Sequence, residues 1–223
     1  MFKSALFDMD GVIVDSEPLH NKAYYQMFDD VNIHVPDNLY ASFTGKSTLE
    51  ICQELVRQFK LPLGPQTLVD IKRHHFKQLF DTDTDLHLLD GVLDLIKDYY
   101  SHGMALVLAS SASMKNINRI FKRFDLDQYF VAKISGADLK ASKPHPEIFI
   151  KAAELSGHEP KDCFVIEDST NGVAAAKAAN IYCIGFDSFH SEDQDYTKAD
   201  IVVSSFGDIT FEKLKMYSKA AKV

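Results

Sequence analysis

Lys3-Ser4-Ala5-Leu6-Phe7-Asp8-Met9-Asp10-Gly11-Val12 begins as an apolar run and ends in two acids. Lys3 to Asp8 reads as a short buried strand, and paired carboxylates are an expensive thing to place at its tip. On an extended chain residues i and i+2 face the same side, so Asp8 and Asp10 would crowd one space and need a counter-charge. A divalent cation that prefers hard oxygen ligands, such as Mg²⁺, meets that need. A carboxylate beside such a cation can also attack phosphorus and form an aspartyl-phosphate. Taken alone, Asp-x-Asp-Gly is equally compatible with a helix cap or a turn, since Asp and Gly both favour turns. The rest of the chain weighs between these readings.

From about Ser16 to Phe80 the pattern turns helical. Leu19, Ala23, Met27 and Phe28 recur at helical spacing, as do Leu49, Cys52, Leu55, Val56 and Phe59, then Leu68, Ile71, Phe76 and Leu79. Beyond Gly91 helices and strands alternate. A helix near Val92 to Tyr100 leads to the strand Ala105 to Ala109, and a helix from about Ser113 to Phe124 precedes a strand around Phe130 to Ile134. A helix near Glu147 to Leu155 precedes Cys163 to Ile166. Gly172 to Ala179 forms a small-residue helix before the strand Ile181 to Ile184, and Ile201 to Val203 is a last short strand. Continuous apolar strands separated by helices indicate a parallel sheet covered on both faces. The expected fold is therefore α/β: a doubly wound core, residues 1–15 and 88–223, with a small all-helical unit, residues 16–87, inserted after the first strand.

Composition narrows the function. The chain has 223 residues, 46% of them hydrophobic, and a formal charge of −8. That balance argues against a nucleic-acid binder, which would show a basic face. An anionic substrate would have to be drawn in by a local cation. No apolar run approaches the ~18 residues of a membrane span. Met1-Phe2-Lys3 leads straight into a strand, without a signal-peptide pattern. Cys52, Cys163 and Cys183 lie far apart and form no metal-type spacing, as expected of reduced thiols. These features predict a cytoplasmic protein with no nucleic-acid or membrane partner, and the absence of an obvious coiled coil leans towards a monomer.

Open α/β sheets bind ligands outside the carboxyl ends of their strands, and the polar residues there form a short set. The first strand ends in Asp8 and Asp10, the next in Ser110-Ser111, and another in Glu167-Asp168. Lys143 stands in Ala141-Ser142-Lys143-Pro144, between a strand and a helix. Each has an ordinary explanation. Ser110 suits a helix cap, Lys143 a solvated surface, and Glu167-Asp168 a helix start favoured by the macrodipole. Together they resemble the four motifs of the haloacid dehalogenase superfamily: Phe7-Asp8-Met9-Asp10-Gly11-Val12, Leu108-Ala109-Ser110, Lys143 in Ser142-Lys143-Pro144, and Glu167-Asp168-Ser169-Thr170-Asn171-Gly172. The insert after the first motif is similar to the helical cap of the β-phosphoglucomutase-like branch.

The resemblance implies that Asp8 attacks phosphorus and Asp10 serves as general acid and base. It further implies that Mg²⁺ is held by Asp8, Asp10 through its backbone carbonyl, and Asp168, with Glu167 behind bound water. Ser110, Ser111 and the amides after them would meet phosphate oxygens, and Lys143 would hold Asp8 ionised. In the cap, His20 and Lys72 fall where related mutases face the active site, with hinges near Asp15 to Pro18 and Thr82 to Asp90. Those mutases also carry an Arg three residues after the cap-loop glycine. Here Thr48 follows Gly45 at that distance, and Lys46 is the nearby cation.

Gly45-Lys46-Ser47-Thr48 is no P-loop, because Tyr40 occupies the place of the leading glycine. His74, His75 and His87 lack the spacing of a helical zinc pair. The expected activity is a Mg²⁺-dependent phosphatase acting on a small phosphorylated metabolite, a sugar phosphate by preference. A β-phosphoglucomutase-type mutase is the alternative, and a non-catalytic binding protein a distant third.

Overall fold

The computed structural model describes residues 1–43, 46–83, 86–187 and 194–220. The chain divides into two compact units, Met1–Asp15 with Leu88–Val223, and Ser16–His87. Strand β1 (Ser4–Phe7) is followed by four helices, α1 (Glu17–Asp30), α2 (Asp37–Ala41), α3 (Thr48–Phe59) and α4 (Pro65–Thr82), which make up the second unit. Their apolar stripes meet at Met27, Phe28, Cys52, Leu55, Leu68 and Val69. Helix α3 starts at a capping box: Ser47 Oγ accepts from the Glu50 N–H, and the Ser47 N–H donates to the Glu50 carboxylate at 2.8 Å. Ser47 therefore has a local duty that accounts for the P-loop-like string around it.

In the first unit the elements after the insert run α5 (Val92–Ser101), β2 (Ala105–Ser110), α6 (Met114–Arg123), β3 (Ala132–Ser135), α7 (Glu147–Ser156), β4 (Cys163–Glu167), α8 (Thr170–Ala178), β5 (Tyr182–Phe186), β6 (Ile201–Val203) and α9 (Phe211–Ala220). The six strands pair in parallel in the order β3-β2-β1-β4-β5-β6. Strand parity sorts the two faces. Leu6, Val107, Ala109, Val165 and Cys183 point to one side, under Phe149 and Ala152 of α7 and Val173 and Ala176 of α8. Phe7 and Phe164 point to the other and pack against Tyr99 of α5, with centroids 6.2 and 5.7 Å away. Phe130 bridges Phe7 to Phe121 of α6. Such offset and edge-on aromatic pairs add to the burial that holds helices on a sheet.

The core is thus the doubly wound parallel sheet that the apolar runs predict. The details differ where tertiary contacts override local pattern. Strand β3 begins at Ala132, because Phe130 turns inward between two aromatic rings. Helix α9 is absent from the expectations, although Phe211, Leu214 and Tyr217 recur at helical spacing. It is docked by Phe211, whose ring stacks on His102 at 4.0 Å and whose N–H donates to Asp98.

Candidate active site

Strand order reverses between β1 and β4, and the crevice beyond their carboxyl ends is where such sheets bind ligands. The Asp8 N–H donates to Ile166 O at 3.0 Å, extending the ladder by one residue and setting Asp8 beside Glu167 and Asp168. The chain then hooks. Ile13 and Val14 donate to Met9 O, and Gly11 donates to Val14 O. Asp10 therefore lies in a turn beyond the strand, so the period-two argument for placing it on Asp8's side does not apply. The two acids still repel, and Asp10 is among the charges that raise the pKa of Asp8. Gly11 has φ +78°, and a Cβ there would fall 1.8 Å from Asp168 Oδ2. Only glycine lets the turn's backbone lie against that carboxylate.

Lys143 is the centre of the cluster. Its ammonium donates to Asp8 Oδ1 at 2.5 Å, Glu167 Oε1 at 2.6 Å and Ala109 O at 3.1 Å. An ammonium has three donors, and each finds an acceptor. The Phe149 ring lies 4.9 Å from Nζ and closes the pocket. Asp8, Lys143 and Glu167 are all buried, at 7, 9 and 1% exposure. Burial pushes Asp8 up to about 7, although Lys143 pulls the other way. Burial and the neighbouring acids likewise raise Asp168 well above the carboxylate range, while Asp8 and Glu167 hold Lys143 protonated.

Four acids, Asp8, Asp10, Glu167 and Asp168, thus interact around one lysine, and the cluster is short of positive charge. A hard divalent cation fits that donor chemistry. Among the described residues no three acid, imidazole or thiolate side chains form a ready-made cage. A cation would therefore complete its shell with backbone oxygen and water, as Mg²⁺ ordinarily does.

Glu167 is fixed from the opposite side, where its Oε2 accepts from the Ser169 N–H and Oγ–H at 2.8 and 2.9 Å. A Cβ on Gly172 would fall 1.8 Å from Glu167 Oε1. Gly172→Ala should therefore reverse the usual helix rule, under which alanine stabilises by about 1 kcal/mol. We expect a lower melting temperature and impaired turnover, read by calorimetry and assay. A stabilised, fully active variant would contradict this packing.

The loop after β2 is also built. Ser110 is buried, and its Oγ accepts from the Ala112 N–H at 3.0 Å, while Ser111 is exposed. Ser135, absent from the sequence expectations, donates to Ala112 O at 2.8 Å from the end of β3. Ser110 lies outside helix α6, whose N-cap position is occupied by Ser113 without a side-chain capping bond.

In the helical unit Lys72 is 3% exposed, and its Nζ lies 2.5 Å from His20 Nδ1 and over the Tyr24 ring. His20 stacks on Phe76 at 4.4 Å. Lys46 turns to Glu54 at 2.8 Å, and Thr48 hydrogen-bonds Tyr24. The structure thus brings His20 and Lys72 together and commits Lys46 to a carboxylate. Gly45, and Thr84 and Asp85 of the second expected hinge, lie outside the described residues.

The raised Asp8 pKa makes folding stability depend on pH. Between the ordinary 3.8 and about 7, the unfolded chain has released a proton that the folded state retains. Stability in EDTA should therefore fall as pH rises through that window, and Asp168, raised by the same burial, adds to the fall. Each pKa unit is worth about 1.4 kcal/mol, so the loss should appear as several degrees of melting temperature between pH 5 and 8. The slope should flatten in Asp8→Asn. A melting temperature that rises across the window would refute the assignment.

The sequence matches the family described as "Haloacid dehalogenase-like hydrolase" over residues 5–186. Hexitol phosphatase B of Escherichia coli K12 is 27% identical over 212 residues, covering 95% of this chain and 96% of the relative. Beta-phosphoglucomutase of Bacillus subtilis is 28% identical over 217 residues, covering 95 and 93%. The structure of CbbY from Rhodobacter sphaeroides in complex with phosphate superposes with a TM-score of 0.85 at 26% identity, covering 94 and 96%. No helix among the described residues is long and apolar enough to cross a membrane.

Proposed function

Because this chain belongs to the haloacid dehalogenase-like hydrolases, we propose that it is a Mg²⁺-dependent phosphatase of small phosphorylated metabolites, with sugar phosphates as its substrate class. The observation that carries this reading is the Lys143 ammonium buried between Asp8 and Glu167. Burial alone would leave Asp8 a neutral acid. The lysine offsets that tendency and keeps an ionised oxygen for attack on phosphorus.

Phosphoryl transfer asks a protein mainly for positioning and charge neutralisation, and the cluster supplies both. Asp8 attacks and carries the phosphoryl group. Asp10 protonates the leaving oxygen, then takes a proton from the incoming water. Ser110 already accepts from Ala112, so its remaining hydroxyl proton is available to a phosphoryl oxygen. Asp8, Asp168 and a backbone oxygen near Asp10 would hold Mg²⁺, which when bound neutralises charge on the transferring group. Glu167 keeps Lys143 in place.

The substrate class comes from the relatives, whose names put their chemistry on sugars or sugar alcohols. Hydrolysis is favoured over mutase chemistry by the helical unit. A mutase must grip a second phosphate, and Arg does this best through bidentate hydrogen bonds. Thr48 stands at the position of that Arg and bonds Tyr24, while Lys46 is paired with Glu54. Phosphate release from a panel of sugar and polyol phosphates, abolished by EDTA and restored by Mg²⁺, is the expected result. Silence across that panel with Mg²⁺ present would overturn the enzyme reading. Incubation with β-glucose 1-phosphate and a trace of the 1,6-bisphosphate decides the branch. Rapid glucose 6-phosphate formation with little free phosphate would make the protein a mutase.

A further inference from the structure

Gln194, Asp195 and Tyr196 follow β5 and belong to none of the four strand-end motifs, yet they close on the turn that carries Asp168. Gln194 Oε1 accepts from the Thr170 N–H at 2.7 Å, one of the N–H groups a helix start leaves without an intrahelical partner. The Asp195 N–H donates to Thr170 Oγ1 at 2.8 Å. The Tyr196 hydroxyl reaches Asp168 O at 2.7 Å and Phe186 O at 3.1 Å. Both partners are carbonyls and a phenol has one proton, so the bond is shared and ties the carboxyl ends of β4 and β5 together.

The ring is seated as firmly as the hydroxyl. Tyr196 packs on the core layer formed by α7, α8 and the sheet. A Cβ on Gly185 would fall 2.9 Å from its Cδ1, so this glycine makes room for the ring. On the other side of Asp168, Gly11 leaves no space for even a methyl group against Oδ2. The Asp168 backbone is therefore held by Tyr196, and its carboxylate is hemmed in by the β1 turn.

We infer that Tyr196 is a positioning residue for Asp168. Its hydroxyl fixes the peptide from which this carboxylate reaches a divalent cation, and so sets the affinity of the site for Mg²⁺. The inference rests on the reading of Asp168 as a metal ligand. Groups that orient metal ligands typically contribute 10–100-fold to affinity. A residue that only anchored its own loop would leave affinity unchanged.

Tyr196→Phe keeps the ring on Gly185 and removes only the hydroxyl. Mn²⁺ stands in for Mg²⁺ and can be titrated into metal-free protein by electron paramagnetic resonance, with no need for turnover. The expected result is a Kd about tenfold above wild type, with the melting temperature in EDTA lowered by only a few degrees. Thr170→Ala releases the Asp195 tie of the same segment and should weaken Mn²⁺ binding in the same direction. It carries the comparison alone if Tyr196→Phe does not fold. Wild-type binding matched within about twofold by the variants overturns the role of Tyr196 and leaves the metal reading standing. Failure of wild type itself to bind Mn²⁺ overturns both.

Discussion

Asp8→Asn is expected to abolish turnover, whereas Asp10→Asn should retain a slow reaction. The asparagine amide keeps the shape of the Asp8 side chain but has no anionic oxygen to attack phosphorus, so no phospho-enzyme forms. Asp10→Asn leaves the attacker in place, beside Lys143, and removes only proton transfer, a contribution of about 10²–10⁴-fold. Phospho-Asp8 should then accumulate, because the water that would release it has lost its base. Rapid acid quench followed by mass spectrometry separates the two variants. Equal residual activity in both would contradict the division of labour. The stability effect should run the other way. Burial favours the neutral form of Asp8, so Asp8→Asn should melt higher than wild type in EDTA at pH 8. Activity and stability would then be opposed at one side chain, as is common at catalytic sites.

Much of this arrangement is legible in the sequence because strands and motifs obey local rules. Cys163 to Ile166 is an unbroken apolar run, so its strand and the acids at its end are read together. The same holds for Ala105 to Ala109 and Ser110. Lys143 needed the joint pattern, since nothing local distinguishes a lysine in a loop from a solvated one. Its burial comes from Asp8 and Glu167, 135 and 24 residues away in sequence. The missed elements share a cause. Helix α2 has five residues, too few to show a period. Helix α9 is docked through His102 and Asp98 of a distant segment. Ser135 and Tyr196 act through hydroxyls on backbone carbonyls 23 and 28 residues away, and no motif spacing encodes such contacts. Asp10 is instructive in another way. The period-two geometry that points to it ends one residue after Phe7, and the turn that places it depends on Gly11.

Lys143→Met is the second variant expected to fail outright, for reasons of both stability and chemistry. Removing one partner of a buried charge pair leaves the others uncompensated and typically costs about 3–5 kcal/mol. Here Asp8 and Glu167 both lose their counter-ion, and Ala109 O loses a donor. The cluster has an escape route that a simple ion pair lacks, because burial already holds Asp8 up to about 7 with the lysine present. Without Lys143 its carboxyl should stay protonated at neutral pH. The fold is then partly spared, since a neutral acid is cheaper to bury than a bare carboxylate. Activity is not spared, because the nucleophile is now a neutral acid. The residual rate should therefore rise with pH beyond the wild-type optimum as Asp8 is forced to ionise. Lys143→Arg should restore little. The three acceptors surround a point charge, and a planar guanidinium cannot address Asp8, Glu167 and Ala109 from one atom. The measurements are a pH–rate profile and a thermal melt for each variant. Lys143→Met turnover within tenfold of wild type, with an unshifted pH profile, would show that Asp8 is kept ionised by something other than this lysine.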